Sequence, residues 1–219
     1  MFPWQQIDTV LLDMDGTLLD LHFDNNLWLT KVPLEIARVH QVSIEQAKQM
    51  VEAAYHDVFG TLDWYNLEYW QQHFNIDIIA LHHASTENIQ LRQDCMPFLS
   101  ALKTLKKDRI LATNAHPKSL ALKLKHTRLA DGLDEMLSSH ETGYPKENPK
   151  FWTALFERFS LNPSRCLFID DNEHILAASK KAGVGFQLGI ENPDSQMPHK
   201  SYAHFSSTHD LTQVLPIIN

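Results

Sequence analysis

The sequence predicts an α/β fold: a doubly wound, mostly parallel sheet interrupted by an all-helical insertion. Three observations carry this. Nearly continuous apolar runs of strand length occur at 7–12, 109–112 and 166–169, the pattern of strands covered on both faces. Helical patterns at 98–107, 117–126, 149–159 and 173–182 alternate with strand signals, which implies parallel strands joined by crossovers. Residues 21–91 break that rhythm, because every pattern there is helical.

Taken in order, the first run ends in a polar cluster that leads into the insertion. Within the insertion, helices are expected at 33–40, 43–59 and 64–74, with Ser43 and Gln46 forming a capping box ahead of the longest. Pro117 and Pro149 suit the first turn of their helices, and Gly183 suits a helix stop. Weaker strand signals lie at 135–138 and 185–188. The insertion holds 71 residues and leaves 148 for the α/β part. We therefore expect a catalytic core of 1–20 and 92–219 and a helical cap of 21–91, placed above the carboxyl ends of the strands, where open α/β sheets bind ligands.

Composition narrows the function. The 219 residues carry 19 Lys and Arg against 27 Asp and Glu, a formal charge of −8. Such an acidic chain is a poor candidate for binding a nucleic-acid polymer or an anionic membrane surface, because phosphate contacts need clustered cations. No run of 18 apolar residues occurs, and the start, Met1-Phe2-Pro3-Trp4-Gln5-Gln6, has no basic segment of a signal peptide. Cys95 and Cys166 fit no zinc spacing and read as reduced thiols. The expectation is a soluble cytoplasmic protein.

Each strong strand runs into polar residues at its carboxyl end: Asp13-Met14-Asp15-Gly16-Thr17, then Thr113-Asn114, then Asp170-Asp171-Asn172. Lys146 lies in a loop, Gly143-Tyr144-Pro145-Lys146, before a helix. Carboxylates gathered from different strands repel by about 4 kcal/mol per pair at roughly 4 Å and an effective dielectric near 20. They need a compensating cation, and hard oxygen ligands beside a phosphate point to Mg²⁺. Singly, Asp15-Gly16 also reads as a hairpin turn and Asp170-Asp171 as a helix cap. An EF-hand loop beginning at Asp13 fails, with Leu18 at its sixth position and Asp24 at its twelfth. All four clusters in order argue against coincidence.

Those clusters resemble the four ordered motifs of the haloacid dehalogenase (HAD) superfamily: Asp13-Met14-Asp15-Gly16-Thr17-Leu18, Thr113, Lys146 and Asp170-Asp171. The insertion resembles its C1 helical cap. The longer strings LLDMDGTLLDLHFDN, YHDVFGTLDWYNLEYW, TNAHPKSLALKLKHT, GYPKE and FIDDNEHILAA resemble bacterial GMP/IMP 5′-nucleotidases of that superfamily. The resemblance implies Mg²⁺-dependent hydrolysis of a small phosphomonoester, a purine mononucleotide, through an aspartyl-phosphate. Asp13 would be the nucleophile and Asp15 the acid and base. Mg²⁺ would be held by Asp13, the main-chain carbonyl of Asp15 and Asp170, with Asp171 supporting its waters. Thr113 and the Asn114 amide would hold phosphoryl oxygens, and Lys146 would offset charge. Family members often read Lys-Pro at the third motif, whereas Glu147 follows Lys146 here. Alternatives are a sugar-phosphate phosphatase or phosphoglucomutase-like enzyme on the same core, and a non-catalytic nucleotide-binding module. The intact set Asp13, Asp15, Lys146 and Asp170 speaks against the last.

Six of the ten Trp and Tyr residues, Trp28, Tyr55, Trp64, Tyr65, Tyr69 and Trp70, fall in the insertion. Their helical spacing predicts a bundle core for most of them, although some could stack on a purine. His116 is expected to start a helix rather than touch substrate. No HExxH, P-loop or GxSxG is present, and Gly183-Val184-Gly185 lacks the third glycine of a dinucleotide fingerprint, Leu188 standing there instead.

Overall fold

The computed structural model describes residues 2–216. After strand β1 (Thr9–Leu12) the chain forms helices α1 (His22–Asn26), α2 (Val32–His40), α3 (Ile44–Val58), α4 (Leu67–Phe74) and α5 (Ile78–His83). It then continues as α6 (Cys95–Thr104), β2 (Asp108–Thr113), α7 (Pro117–His126), β3 (Glu135–Ser138), α8 (Ser139–Thr142) and α9 (Pro149–Arg158). The last elements are β4 (Cys166–Asp170), α10 (Glu173–Lys181), β5 (Phe186–Ile190) and β6 (Ser207–Thr208).

The strands form one sheet in the order β3-β2-β1-β4-β5-β6, and every pairing is parallel. Side-chain alternation along β1 explains why it sits at the centre. Val10 and Leu12 pack on one face with Phe98, Leu99 and Leu102 of α6, while Leu11 packs on the other with Phe151, Trp152 and Leu155 of α9 and Leu176 of α10. With both faces covered, a strand has no polar side to show, hence the apolar run. Winding from β1 to β3 in one direction and from β4 to β6 in the other leaves the carboxyl ends of β1, β2 and β4 side by side, the ligand-binding crevice of open sheets.

The helix ends follow their sequence signals. Pro117 and Pro149 occupy the first turns of α7 and α9. Gly183, at φ +97°, ends α10: its N–H reaches Lys180 O at 3.1 Å and that of Val184 reaches Ser179 O at 3.1 Å, the paired bonds of a left-handed stop. In the insertion, Gln46 N donates to Ser43 Oγ at 3.2 Å and Ser43 N to Gln46 Oε1 at 2.9 Å, as the capping box predicts.

Three local features depart from expectation. The helix expected at 64–74 starts only at Leu67, because the Asn66 side chain accepts the Glu68 and Tyr69 N–H groups and caps it there. Helix α1 runs through one wide π-type turn (Leu27–Lys31) into α2, immediately ahead of Pro33, whose ring and missing N–H disturb the regular ladder. Helix α5 and strand β6 are additional to the elements expected.

The insertion has its own apolar cluster, in which Leu27, Val32, Ile36, Val51, Trp70 and Phe74 are buried. Its two connections to the sheet lie side by side: Leu19 bridges Leu91 antiparallel, Asp20 N donates to Gln90 O at 2.9 Å and Arg92 N to Leu18 O at 3.0 Å. His82 of α5 is 3% exposed, edge-on to Phe23 and Trp28, with Nδ1 3.1 Å from Ile78 O. Burial lowers its pKa from 6.5 to about 4, the nearby Lys123, His83 and His116 adding to the effect and the Ile78 carbonyl opposing it. The folded chain thus keeps His82 neutral where the unfolded chain protonates it. Its contribution to stability is full above the unfolded pKa and is lost as pH falls from 6.5 towards about 4. Between pH 6 and pH 5, wild type is expected to lose about 1 kcal/mol more in denaturant unfolding than a His82→Phe variant. Equal losses would contradict the assignment.

Candidate active site

Asp13 follows β1 directly, and its N–H donates to Ile169 O at 2.9 Å, fixing it beside β4. Gly16 then turns the chain at φ +80°; a Cβ there would stand 2.9 Å from Asp171 Cγ, so only glycine fits. Thr113 ends β2, and its Oγ1 accepts the Ala115 N–H at 3.0 Å. Asp170 ends β4, its Oδ1 accepting the Asn172 N–H at 2.7 Å. Lys146 stands in the loop between α8 and α9, where its N–H donates to Asn114 Oδ1 at 2.9 Å and its carbonyl accepts Trp152 Nε1–H at 2.7 Å. So anchored, Lys146 Nζ reaches Asp13 Oδ1 at 2.5 Å and Asp170 Oδ2 at 2.8 Å.

Asp13, Asp15, Thr113, Asn114, Lys146, Asp170 and Asp171, all the residues singled out in the sequence, line one cavity of about 380 Å³ at the carboxyl ends of the strands. Helices of the insertion roof it.

Residues 7–183 match the haloacid dehalogenase-like hydrolase family. The chain belongs to that family. It is similar to the GMP/IMP nucleotidase YrfG of Escherichia coli (strain K12), 46% identical over 213 residues that cover 97% of this chain and 96% of the relative. It is more distantly similar to the pyrophosphatase PpaX of Bacillus cereus (strain ATCC 10987 / NRS 248), 24% identical over 188 residues, 82% of this chain and 81% of that one. The HAD phosphatase from Thermococcus onnurineus shares the fold with a TM-score of 0.78 and 23% identity, over 95% of this chain and 96% of that chain.

The acidic cluster of this hydrolase is suited to a metal. One carboxylate oxygen each from Asp13, Asp170 and Asp171 lies within 4.8 Å of the others, and Asp13 and Asp170 are buried. Burial raises their carboxyls above the usual range, Asp13 to about 7 and Asp170 to about 6, while the Lys146 ammonium pulls both down. Those carboxylates in turn hold Lys146 protonated, its pKa raised against the effect of burial. Lys146 at Asp13 and Asp170, with Lys200 at Asp171, leaves three carboxylates short of balance, and an all-oxygen set with that crowding fits Mg²⁺.

Several neighbours of the haloacid dehalogenase-like hydrolase site carried no distinctive sequence signal. Lys123 of α7 is fully buried and donates to Asp15 Oδ1 at 2.7 Å. Lys200 donates to Asp171 Oδ2 at 3.2 Å, and the Tyr202 hydroxyl lies 2.6 Å from Asp171 O. Glu147, the departure after the motif lysine, accepts the Tyr65 hydroxyl at 2.7 Å and Asn114 Nδ2–H at 3.1 Å. The Asn114 side chain is therefore engaged at both ends, which leaves its main-chain amide for a ligand. His116 starts α7, its Nδ1 accepting the Lys118 N–H at 3.2 Å, while Nε2 pairs with Glu68 of α4 at 2.6 Å.

The cap aromatics do more than fill a core. Trp70 is buried against Phe74, yet Trp28, Tyr55, Trp64, Tyr65 and Trp70 all line the cavity. Cys95 and Cys166 are free and buried, and burial pushes both thiols up to about 12. Among the described residues, no helix is long and apolar enough to cross a membrane.

Proposed function

We propose that this hydrolase is a Mg²⁺-dependent phosphomonoesterase that cleaves purine nucleoside 5′-monophosphates, GMP and IMP, to nucleoside and phosphate. The carrying observation is Lys146 Nζ held between Asp13 and Asp170 at the strand ends, beneath an aromatic-lined roof. The choice of nucleotide draws on the 46% identity to a GMP/IMP nucleotidase.

Asp13 attacks phosphorus, forming an aspartyl-phosphate as the bond to the ribose oxygen breaks. Asp15 gives its proton to that departing oxygen, then takes one from the water that attacks phosphorus and releases phosphate from Asp13. Such acid–base help contributes roughly 10²–10⁴-fold. The Thr113 hydroxyl, which accepts from Ala115, keeps its own proton to donate to a phosphoryl oxygen beside the Asn114 main-chain amide. Lys146 orients Asp13 and offsets its charge. Asp13, the Asp15 carbonyl and Asp170 would hold Mg²⁺, with Asp171 supporting its waters; the bound ion supplies positive charge to the transferring phosphoryl group.

The catalytic core is proposed as 1–20 and 92–219 and the cap as 21–91, a division supported by the paired connections at Leu19 and Leu91. Two free thiols support a cytoplasmic setting.

Phosphate release from a panel of nucleoside and sugar phosphates, with Mg²⁺ or EDTA, tests this reading. GMP and IMP are expected to lead and EDTA to abolish turnover. A strong preference for a sugar phosphate would overturn the substrate assignment, and EDTA-resistant turnover would overturn the metal.

A further inference from the structure

Lys123 is a fully buried cation that the reaction just described does not use. Its ammonium donates to Asp15 Oδ1 at 2.7 Å and to both oxygens of Asp24 at 2.9 and 2.8 Å, and it lies 5.1 Å from the centre of the Phe23 ring. Lys123 comes from α7 of the core, whereas Phe23 and Asp24 come from α1, the first helix of the insertion. That helix is itself fixed to the core: Asn25 Nδ2 donates to Asp194 Oδ2 at 2.7 Å and Leu21 N to Pro193 O at 2.8 Å.

A buried ammonium is costly unless carboxylates surround it, and the arrangement serves Asp15 more than it serves packing. Lys123 binds only one oxygen of Asp15; the other, Oδ2, receives no hydrogen bond from the described residues, and Asp15 belongs to the wall of the cavity that holds Asp13. Asp24 engages the same ammonium with both of its oxygens and so holds it in place. We infer that Asp24 and Lys123 are positioning residues that fix the Asp15 carboxyl so that its free oxygen meets the leaving-group oxygen of the substrate. The inference rests on the proposed role of Asp15 as the acid that protonates that oxygen. In the step concerned, the phosphorus–oxygen bond of the substrate breaks, the proton passes from Asp15 to the departing alkoxide, and the phosphoryl group goes to Asp13.

Loosening Asp15 harms only substrates whose leaving group needs that proton. The ribose alkoxide of GMP needs it; the phenolate of p-nitrophenyl phosphate departs without it. The ratio of kcat/KM for GMP to that for p-nitrophenyl phosphate reports the first step alone, because water enters after the leaving group has gone. Asp24→Asn keeps the side-chain shape and weakens the hold on Lys123. It is expected to lower the ratio about tenfold or more. Lys123→Met is expected to lower it further where the protein folds; Asp24→Asn tests the idea alone where it does not. An unchanged ratio in Asp24→Asn, whether both substrates slow equally or neither slows, would overturn the inference, since a merely structural role weakens both alike. Asp15→Asn separates the two readings: GMP turnover that survives in this variant overturns the acid role of Asp15, whereas its loss, beside an unchanged Asp24→Asn ratio, overturns the positioning role alone.

Discussion

Replacing Asp13 by Asn is expected to reduce phosphate release from GMP by about 10⁴-fold or more, the scale seen when a covalent nucleophile is removed. Asparagine nearly matches aspartate in shape but lacks the anionic oxygen that attacks phosphorus. The change should leave the fold intact. Asp13 belongs to a crowded, buried carboxylate cluster in which burial already disfavours its charge. Removing that charge relieves repulsion with Asp170 and Asp15, although it also weakens the bond to Lys146 Nζ at 2.5 Å. Thermal unfolding monitored beside the phosphate-release assay checks both halves. Turnover within tenfold of wild type, in a folded variant, would remove Asp13 from its proposed role.

Lys146→Met acts on the same cluster from the opposite side and should cost both activity and stability. Methionine fills much of the buried space but leaves Asp13 and Asp170 without the ammonium that stands between them. Breaking a buried pair in this way destabilises by about 3–5 kcal/mol, less whatever the carboxylates recover by taking up protons. Turnover should fall by about 10²–10³-fold, the effect of losing one preorganised charge-stabilising donor. Urea unfolding in EDTA and in Mg²⁺ distinguishes the contributions: the loss should be largest in EDTA and smaller in Mg²⁺, which supplies positive charge to the same carboxylates. Unchanged stability in EDTA would mean that the Lys146 contacts do not balance the cluster.

The sheet was legible because its central strands are buried on both faces. Val10, Leu11 and Leu12, and likewise Leu167, Phe168 and Ile169, have no solvent side, so they read as apolar runs that stop at Asp13 and Asp170. Strand β6 was not legible, since Ser207 and Thr208 are two polar residues added at an edge. Helix α5, six residues long and capped by Asp77, is too short for its periodicity to stand out.

The site divides in the same way. Asp13, Asp15, Lys146 and Asp170 lie in motifs whose order along the chain is itself a signal. Lys123 was hidden because its helix also carries Lys118 and Lys125, and nothing local marks the one that is buried. Its partners are 108 and 99 residues away, and only the fold brings them to it. Glu147 was visible as a departure from the family pattern, but its bond to Tyr65 spans 82 residues and had no sequence counterpart. The charge of −8 describes the whole chain, whereas the cavity sets two buried lysines, Lys123 and Lys146, beside its acidic cluster.

The most direct test of the account is to trap the phosphorylated enzyme. Wild-type protein mixed with Mg²⁺ and GMP labelled in its phosphate is quenched in acid within one turnover, digested and sequenced by mass spectrometry. The account predicts label on Asp13, none in the Asp13→Asn variant, and a rate of appearance at least as fast as steady-state turnover. Phosphate released in the first turnover with no labelled protein, or label on any other residue, would contradict it.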